Sequence, residues 1–303
     1  MKVYGSVEAG GTKFVCLIGK SPEQVLEKWV IQTEAPEMTL NATVAFFKDT
    51  LAQHPNWKLE SVGITSFGPI DLKQGSPTYG HIEQTPKPGW AGADIYGYIQ
   101  KALDVPVYLD TDVGGAALAE YSMGAGKGKD SLLYITIGTG IGGAFIYKGA
   151  NIYDVHHAEI GHMKTPRIPE DSFKGGCPFH DDCLEGMASG PAMMKRWGMP
   201  ADQLPNDHPG WDYEAAYIGQ AIINLIYTFS PAVIVLGGGV MMHEGLIDKV
   251  RDFVKANMNA YCQPTAYRAE IDSTIVLPGS GIAGAIGGLI LAEQGTKTKK
   301  HTV

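Results

Sequence analysis

Residues 131–149 read SLLYITIGTGIGGAFIYKG: an apolar β-branched run, a glycine turn, and a second apolar run. That pattern predicts two strands joined by a tight turn. The chain opens on the same design, with KVYGSVE, AGGTK and FVCLIG across residues 2–19. α/β material follows each hairpin. After the first come a helix over residues 39–54, with a threonine at its start to cap it, and a strand over 61–70 running into a Gly-Pro turn. A strand, a polar turn and a small-residue helix then occupy 105–124. After the second hairpin come a helix over 213–229, the strand AVIVLGGGV, a helix over 244–261, the strand TIVLPG and a small-residue helix over 281–294. Two halves that each begin with a glycine hairpin and continue as α/β units predict a duplicated fold.

A chain of 303 residues is long enough for two domains, each with its own core. Its 44% hydrophobic and 18% charged content fit a soluble globular protein. The net charge of −8 argues against a nucleic-acid partner, which needs a basic face. It leaves nucleotide binding open, because backbone amides hold phosphates without net positive charge. No run of about 18 apolar residues predicts a membrane span. Met1 leads directly into KVYGSVEAGG without the pattern of a secretory signal, so a cytoplasmic protein is expected. Cys16 and Cys262 stand in apolar surroundings far apart in sequence and read as reduced core thiols.

Three glycine clusters compete for a phosphate: Gly10-Gly11-Thr12-Lys13, residues 138–143, and Gly237-Gly238-Gly239. The second spells G-x-G-x-x-G, yet a dinucleotide fingerprint must open a helix, and AFIYKG after it is strand-like. GAGKGKDS at 124–131 lacks a glycine five positions before either Gly-Lys, so it is not a P-loop. What survives is the pair of hairpins, whose main-chain N–H groups and the hydroxyls of Thr12 and Thr139 suit a triphosphate tail. The bland alternative for any one cluster is a tight turn with no ligand.

Residues 156–186 read HHAEIGHMKTPRIPEDSFKGGCPFHDDCLEG. Cys177, His180 and Cys183 form a CxxHxxC cluster, and His162 stands upstream of it. Cys and His at two-residue spacings suit tetrahedral zinc. Four protein ligands leave no open position for catalytic water, so a structural ion is expected. Glu159 and Glu185 flank the cluster.

The motifs VEAGGTKF, SFGPI, LDTDVGGAALAE, ITIGTGIGGAFI, HAEIGH, GCPFHDDCLEGMASGPA and VLGGGV occur in the order found in ROK-family sugar kinases. The chain resembles that family over nearly its whole length. It looks most like the bacterial fructokinase branch, with EAGGTK where many relatives have DxGGTK and CPFHxxC where the glucokinase branch has CxCGxxGC. The resemblance implies an actin-like fold of two RNase H-like lobes. Residues 1–118 would form a smaller N-terminal lobe and 119–303 a larger one carrying the zinc loop, with the last helix packing back toward the first lobe. It implies ATP- and Mg²⁺-dependent phosphorylation of a hexose at its 6-hydroxyl, D-fructose above all. Mannose or glucose is the alternative acceptor, and a sugar-responsive regulator the alternative class. A homodimer is implied too, with small-molecule partners only.

The same resemblance assigns residues. Asp112 is the expected base, although a helix N-cap is the commoner job for such an aspartate and Asp110 competes for the role. Thr111 stands where many relatives carry Asn. Glu8 would hold Mg²⁺ through water. Gly10, Gly11, Thr12, Lys13, Thr139 and Gly140 would bind phosphate, with Lys13 equally readable as a surface lysine. Gly237, Gly238 and Gly239 would take the adenosine, with Gly190 and Pro191 on its other side. Gly68, Pro69, Thr111, Asp112, Glu159, His162 and Glu185 would surround the sugar. Trp90 reads as a packed aromatic rather than a stacking platform.

Overall fold

β1 (Lys2–Ala9) and β2 (Lys13–Ser21) form the first hairpin, antiparallel and in register from Tyr4↔Gly19 to Ala9↔Phe14. The computed structural model describes residues 1–85, 87–153, 156–259, 270–279 and 283–298. β3 (Gln24–Gln32) adds antiparallel to β2. The chain then rises through α1 (Pro36–Gln53) to β4 (Lys58–Ser66), which pairs parallel with β1. α2 (Ile95–Leu103), capped by the Asp94 side chain on the Gly97 N–H, leads to β5 (Val107–Thr111), parallel to β4. The sheet order is therefore β3-β2-β1-β4-β5.

The second half repeats this plan. After α3 (Asp112–Met123), β6 (Ser131–Ile137) and β7 (Ile141–Tyr147) form the second hairpin, followed by the short β8 (Ala150–Asn151). Next come α4 (Leu184–Ala188), α5 (Gly190–Trp197) and α6 (Gly210–Phe229). β9 (Ile234–Gly237) pairs parallel with β6. α7 (Leu246–Asn257) and α8 (Ile271–Thr274) precede β10 (Ile275–Val276), which pairs parallel with β9, and α9 (Ala283–Thr298) follows. Its sheet order, β8-β7-β6-β9-β10, matches the first strand for strand. Each half thus has a hairpin, a third edge strand, and two parallel strands reached by helical crossovers, the arrangement that parallel pairing requires. Two five-stranded sheets of the same order are the duplicated arrangement that the resemblance implies.

The chain folds into two compact units. One comprises Met1–Ala119, Asn151–His157 and Ser280–Val303, the other Glu120–Ala150 and Ala158–Gly279. The first is built around Val7, Phe14, Phe47, Ile64, Trp90 and Ile99, the second around Ile135, Met187, Trp211, Ile222, Leu236 and Val250. Trp90 is fully buried against Phe14 and Phe67, and its indole N–H donates to the Glu34 carbonyl at 2.9 Å. It offers no face to a ligand.

The small-residue helix at the C-terminal end has a physical reason. α9 lies directly on the β1/β4 face, and the hydroxyls of Ser6, Ser61 and Thr65 donate to its carbonyls at Ala285, Ala292 and Gly284. At Gly63 a Cβ would sit 1.9 Å from the Gly288 carbonyl oxygen, so backbone meets backbone there.

Some boundaries differ from the sequence expectation. α1 begins at Pro36, with proline in the first turn, where its missing N–H costs nothing. Thr39 is therefore inside the helix, and its hydroxyl accepts from the Glu34 N–H at 2.9 Å instead of capping the helix start. The strand expected over TIVLPG shrinks to Ile275–Val276. The helix expected over 244–261 spans Leu246–Asn257. Cys262, the end of that expected helix and the start of the one at 281 lie outside the described residues, as do the last residues of the chain. Among the described residues no helix is long and apolar enough to cross a membrane.

Candidate active site

β5 ends at Thr111 because its ladder with β4 runs through Ser66↔Thr111, and α3 starts on the next residue. Two adjacent residues here are good helix caps, and the geometry chooses the threonine. The Thr111 hydroxyl accepts from the Gly114 N–H at 2.9 Å. Asp112 is thereby displaced from the capping position, contrary to the commoner role for such an aspartate, and its carboxylate is bonded only locally, to the Val113 N–H at 2.9 Å. Burial pushes Asp112 up to about 6, with Glu8 adding to the rise and the Val113 N–H and His157 opposing it.

Asp110 is the opposite case. Its buried carboxylate accepts from the Thr111 N–H at 2.7 Å, from Asn151 Nδ2 at 3.4 Å and from the Tyr153 hydroxyl. Burial raises its pKa, and these donors hold it down. A carboxylate with this many partners is a structural anchor, which removes Asp110 as competitor for proton transfer. Sequence reading missed Asn151 and Tyr153, and a lone Asn-x-Tyr carries no local signal.

Glu8, at the end of β1, accepts from the Ala285 N–H near the start of α9, and a Cβ on Gly284 would meet its carboxylate at 2.5 Å. Burial raises its pKa, while the Ala285 N–H and Lys13 lower it. In the first hairpin turn the Gly10 N–H donates to the Lys13 carbonyl at 3.1 Å, and Thr33 clamps the Gly10 carbonyl with its hydroxyl at 2.7 Å. Gly11 is half-buried, and Thr12 and Lys13 are open to solvent. Gly68 and Pro69, joined by a cis peptide, follow β4.

In the second unit the other candidates converge. The Gly138 N–H donates to the Gly140 carbonyl at 2.9 Å and closes the hairpin turn, leaving Thr139 exposed. The Gly190 N–H, at the start of α5, donates to the Gly138 carbonyl at 2.8 Å, and Pro191 follows in the first turn of that helix. Gly238 has φ +91°, and a Cβ there would lie 2.2 Å from the Ile137 carbonyl oxygen. Only glycine fits that approach, so Gly238 presses its backbone against the end of β6, whereas a Cβ on Gly239 would meet nothing within 4 Å. Glu185, in α4, accepts from the Ile141 N–H at 2.9 Å.

His162, Cys177, His180 and Cys183 gather so that one donor atom from each lies within 4.8 Å of the others. His162 Nδ1 stands 3.3 Å from His180 Nδ1, 3.5 Å from Cys183 Sγ and 3.9 Å from Cys177 Sγ; Cys177 Sγ and His180 Nδ1 are 3.8 Å apart. Tetrahedral bonds of ~2.0 Å to nitrogen and ~2.3 Å to sulfur imply edges of about 3.3–3.8 Å, so the donor set fits a tetrahedral cation. Burial pushes the Cys183 thiol up to about 11, and only an ion in the site would deprotonate it at neutral pH. His162 turns its other nitrogen to Glu159, Nε2 to Oε2 at 4.0 Å. Around the cluster, Lys164 Nζ donates to the His180 carbonyl at 2.7 Å and to the Asp182 carboxylate.

A second tie on this loop was not read from the sequence. Asp171 pairs with Arg196 of α5 at 3.0 Å, both side chains buried, and accepts from the Tyr217 hydroxyl of α6 at 2.7 Å. The guanidinium lies over the ring of Phe173, 4.7 Å from its centroid.

The model of the ROK family matches residues 4–294. A fructokinase of Streptococcus mutans is 42% identical over 97% of this chain and 98% of its own. A fructokinase of Pediococcus pentosaceus is 40% identical over 97% of this chain and 99% of its own. The crystal structure of a ROK hexokinase from Thermus thermophilus superposes with a TM-score of 0.79 at 25% identity, covering 98% of this chain and 99% of that one. With a family match across almost the whole length and the duplicated sheets described above, this chain belongs to the ROK family.

Proposed function

We propose that this protein is a fructokinase, transferring the γ-phosphoryl group of ATP to the 6-hydroxyl of D-fructose. The observation that carries the reading is the 40–42% identity to fructokinases along nearly the entire chain, paired with an aspartate that its own helix leaves uncapped. Asp112 accepts the proton of the attacking hydroxyl. A group whose pKa is about 6 is ionised at neutral pH yet basic enough to take a proton as the hydroxyl acidifies. Thr111 keeps the carboxylate out of the cap. Its hydroxyl accepts from Gly114 and retains its own hydrogen for a sugar oxygen.

Glu159, His162 and Glu185 present acceptors and one imidazole edge to the paired hydroxyls of a hexose. The N–H groups and hydroxyls of the two glycine turns take the phosphates, and the Gly237–Gly239 turn accepts the nucleoside. Bound Mg²⁺ supplies charge neutralisation in phosphoryl transfer, and Glu8 would hold it through water. Zinc at the Cys/His cluster supplies no chemistry, since four protein ligands fill its shell. What it does is fix the loop that carries Glu159 and Glu185. Activity as a cytoplasmic homodimer belongs to the same reading and is checked by light scattering of the purified protein.

A coupled ATP-consumption assay with and without each of fructose, mannose and glucose tests the proposal. Fructose-dependent turnover exceeding that with the other two is expected. Turnover on none of them would overturn the reading and favour a sugar-responsive regulator.

A further inference from the structure

Among the groups that the assignments above leave unused is His157. It sits at the end of the segment Asn151–His157, which belongs to the first unit although it follows β7 of the second. The segment is fastened at two points to one carboxylate, with Asn151 and Tyr153 both donating to the buried Asp110. Asp110 lies at the end of β5, two residues before the expected base. The anchor therefore delivers the chain that follows to the neighbourhood of Asp112.

The ring of His157 arrives there oriented. His156 stacks on it at 4.0 Å between centroids, and His156 Nδ1 lies 2.9 Å from the His157 carbonyl oxygen. His156 is held from its other side by Glu83, Nε2 to Oε2 at 3.8 Å. The polar edge of the His157 imidazole faces the Gly68-Pro69 turn. Its Nε2 and Cε1 lie 3.8 and 3.9 Å from the point where a Cβ on Gly68 would stand. The ring is also close enough to favour the ionised forms of both Asp110 and Asp112. A half-buried imidazole aimed at a glycine turn, on a segment fastened to the carboxylate of Asp110, is more than a solvated surface histidine needs.

We propose that His157 is a further residue of the acceptor site, hydrogen-bonding a hexose hydroxyl neighbouring the one that Asp112 deprotonates. The inference rests on the sugar-kinase reading above and deepens it. Because the ring is fixed relative to Gly68 and Asp112, it selects among hexoses by where their hydroxyls fall. A site that hydrogen-bonds a particular hydroxyl rejects sugars that misplace it far more strongly than a hydrophobic wall does.

Three variants and one titration test this. His157→Phe keeps the ring shape and removes both nitrogens, His157→Ala removes the ring, and His157→Gln retains hydrogen-bonding capacity. His157→Phe and His157→Ala are expected to raise the KM for fructose roughly tenfold or more and to compress the fructose-to-mannose ratio of kcat/KM. The KM for ATP should stay within about twofold of wild type, with His157→Gln intermediate. A purely structural role would lower the melting temperature without changing the hexose ratio. Should the variants fail to fold, the wild-type imidazole ¹⁵N resonances report directly, with the His157 pair assigned by exclusion against substitutions of the other histidines. Fructose is expected to shift that pair. An unchanged KM and hexose ratio in folded Phe and Ala variants, or no shift of the His157 ring with any hexose, overturns the inference. Wild-type protein without fructose-dependent turnover sinks the fructokinase reading separately, and the hexose titration of the ring still decides the role of His157.

Discussion

Glu185 Oε2 accepts a hydrogen bond from the backbone N–H of Ile141 at 2.9 Å, joining the helix that follows the metal cluster to the second glycine hairpin. A Cβ on Gly140 would lie 2.8 Å from the same oxygen, so the carboxylate rests on the turn itself. One side chain therefore links the expected sugar-binding loop to the expected phosphate turn. Glu185→Gln can still accept from Ile141 through its carbonyl oxygen, so its melting temperature should stay near wild type while fructose affinity falls. Glu185→Ala leaves a part-buried N–H unpaired and should lose about 1–3 kcal/mol as well. Thermal melts of both variants beside their KM values separate the two roles, and equal stability loss in both would contradict the assignment.

Asp112→Asn should reduce kcat by about 10²–10⁴-fold while leaving fructose binding largely intact. In the wild type, kcat/KM should fall as pH drops through about 6, the protonation point of the free base. Near-normal turnover in the variant removes Asp112 from the mechanism.

The same substitution should raise stability. A carboxyl whose folded pKa lies above its unfolded value destabilises the fold wherever it is ionised in both states. The penalty is therefore complete above the folded value of about 6 and disappears below the ordinary aspartate value of 3.8. Asp112→Asn is expected to gain on the order of 1–3 kcal/mol at pH 8 and to lose that advantage near pH 4. Chemical denaturation at the two pH values is the measurement. A gain of equal size at both would mean that the effect is not ionisation.

Metal analysis should find one zinc per chain. Chelation should lower the melting temperature and raise the KM for fructose together, because His162 serves the cluster through Nδ1 and faces Glu159 through Nε2. Rebinding should release protons, given a Cys183 thiol that burial holds near 11 without the ion. Chelated protein with unchanged KM and melting temperature would show that the cluster supports neither the loop nor the sugar.

Arg196→Met should cost about 3–5 kcal/mol, since it leaves the buried Asp171 carboxylate without its cation, held by the Tyr217 hydroxyl and the Phe173 N–H. Adding Asp171→Asn should recover part of that loss by removing the orphaned charge. Glu214 sits buried nearby with its pKa raised well above the usual range, by burial first and against the pull of Arg196, so burial disfavours its charged form. Glu214→Gln is accordingly expected to be close to neutral. Melting curves of the three variants provide the check.

Much of the architecture is legible because it is written in short-range pattern. Glycine turns between β-branched runs give both hairpins, and two-residue spacings of Cys177, His180 and Cys183 give the metal cluster. The choice between Thr111 and Asp112 as cap was not legible, because both residues suit the position. What decides it is how far β5 pairs along β4, a fact set by another strand. The same limit hid the Asp171–Arg196 pair and the Tyr153–Asp110 bond, whose partners lie 25 and 43 residues apart. Thr39 misled for a different reason: a proline that tolerates the first helical turn moved the helix start upstream.

The close seating of α9 on β4 also bears on the order of synthesis. The strands β1 to β5 emerge from a ribosome first, but the helix whose backbone touches Gly63 is made last. Until then the face that carries Ser6, Ser61 and Thr65 has no carbonyls to donate to and stays uncovered. The second unit, whose described residues end at Gly279, is complete earlier. The first unit to be translated is thus the last to finish folding, and a nascent chain stalled before residue 283 presents an open sheet face for chaperones to shield.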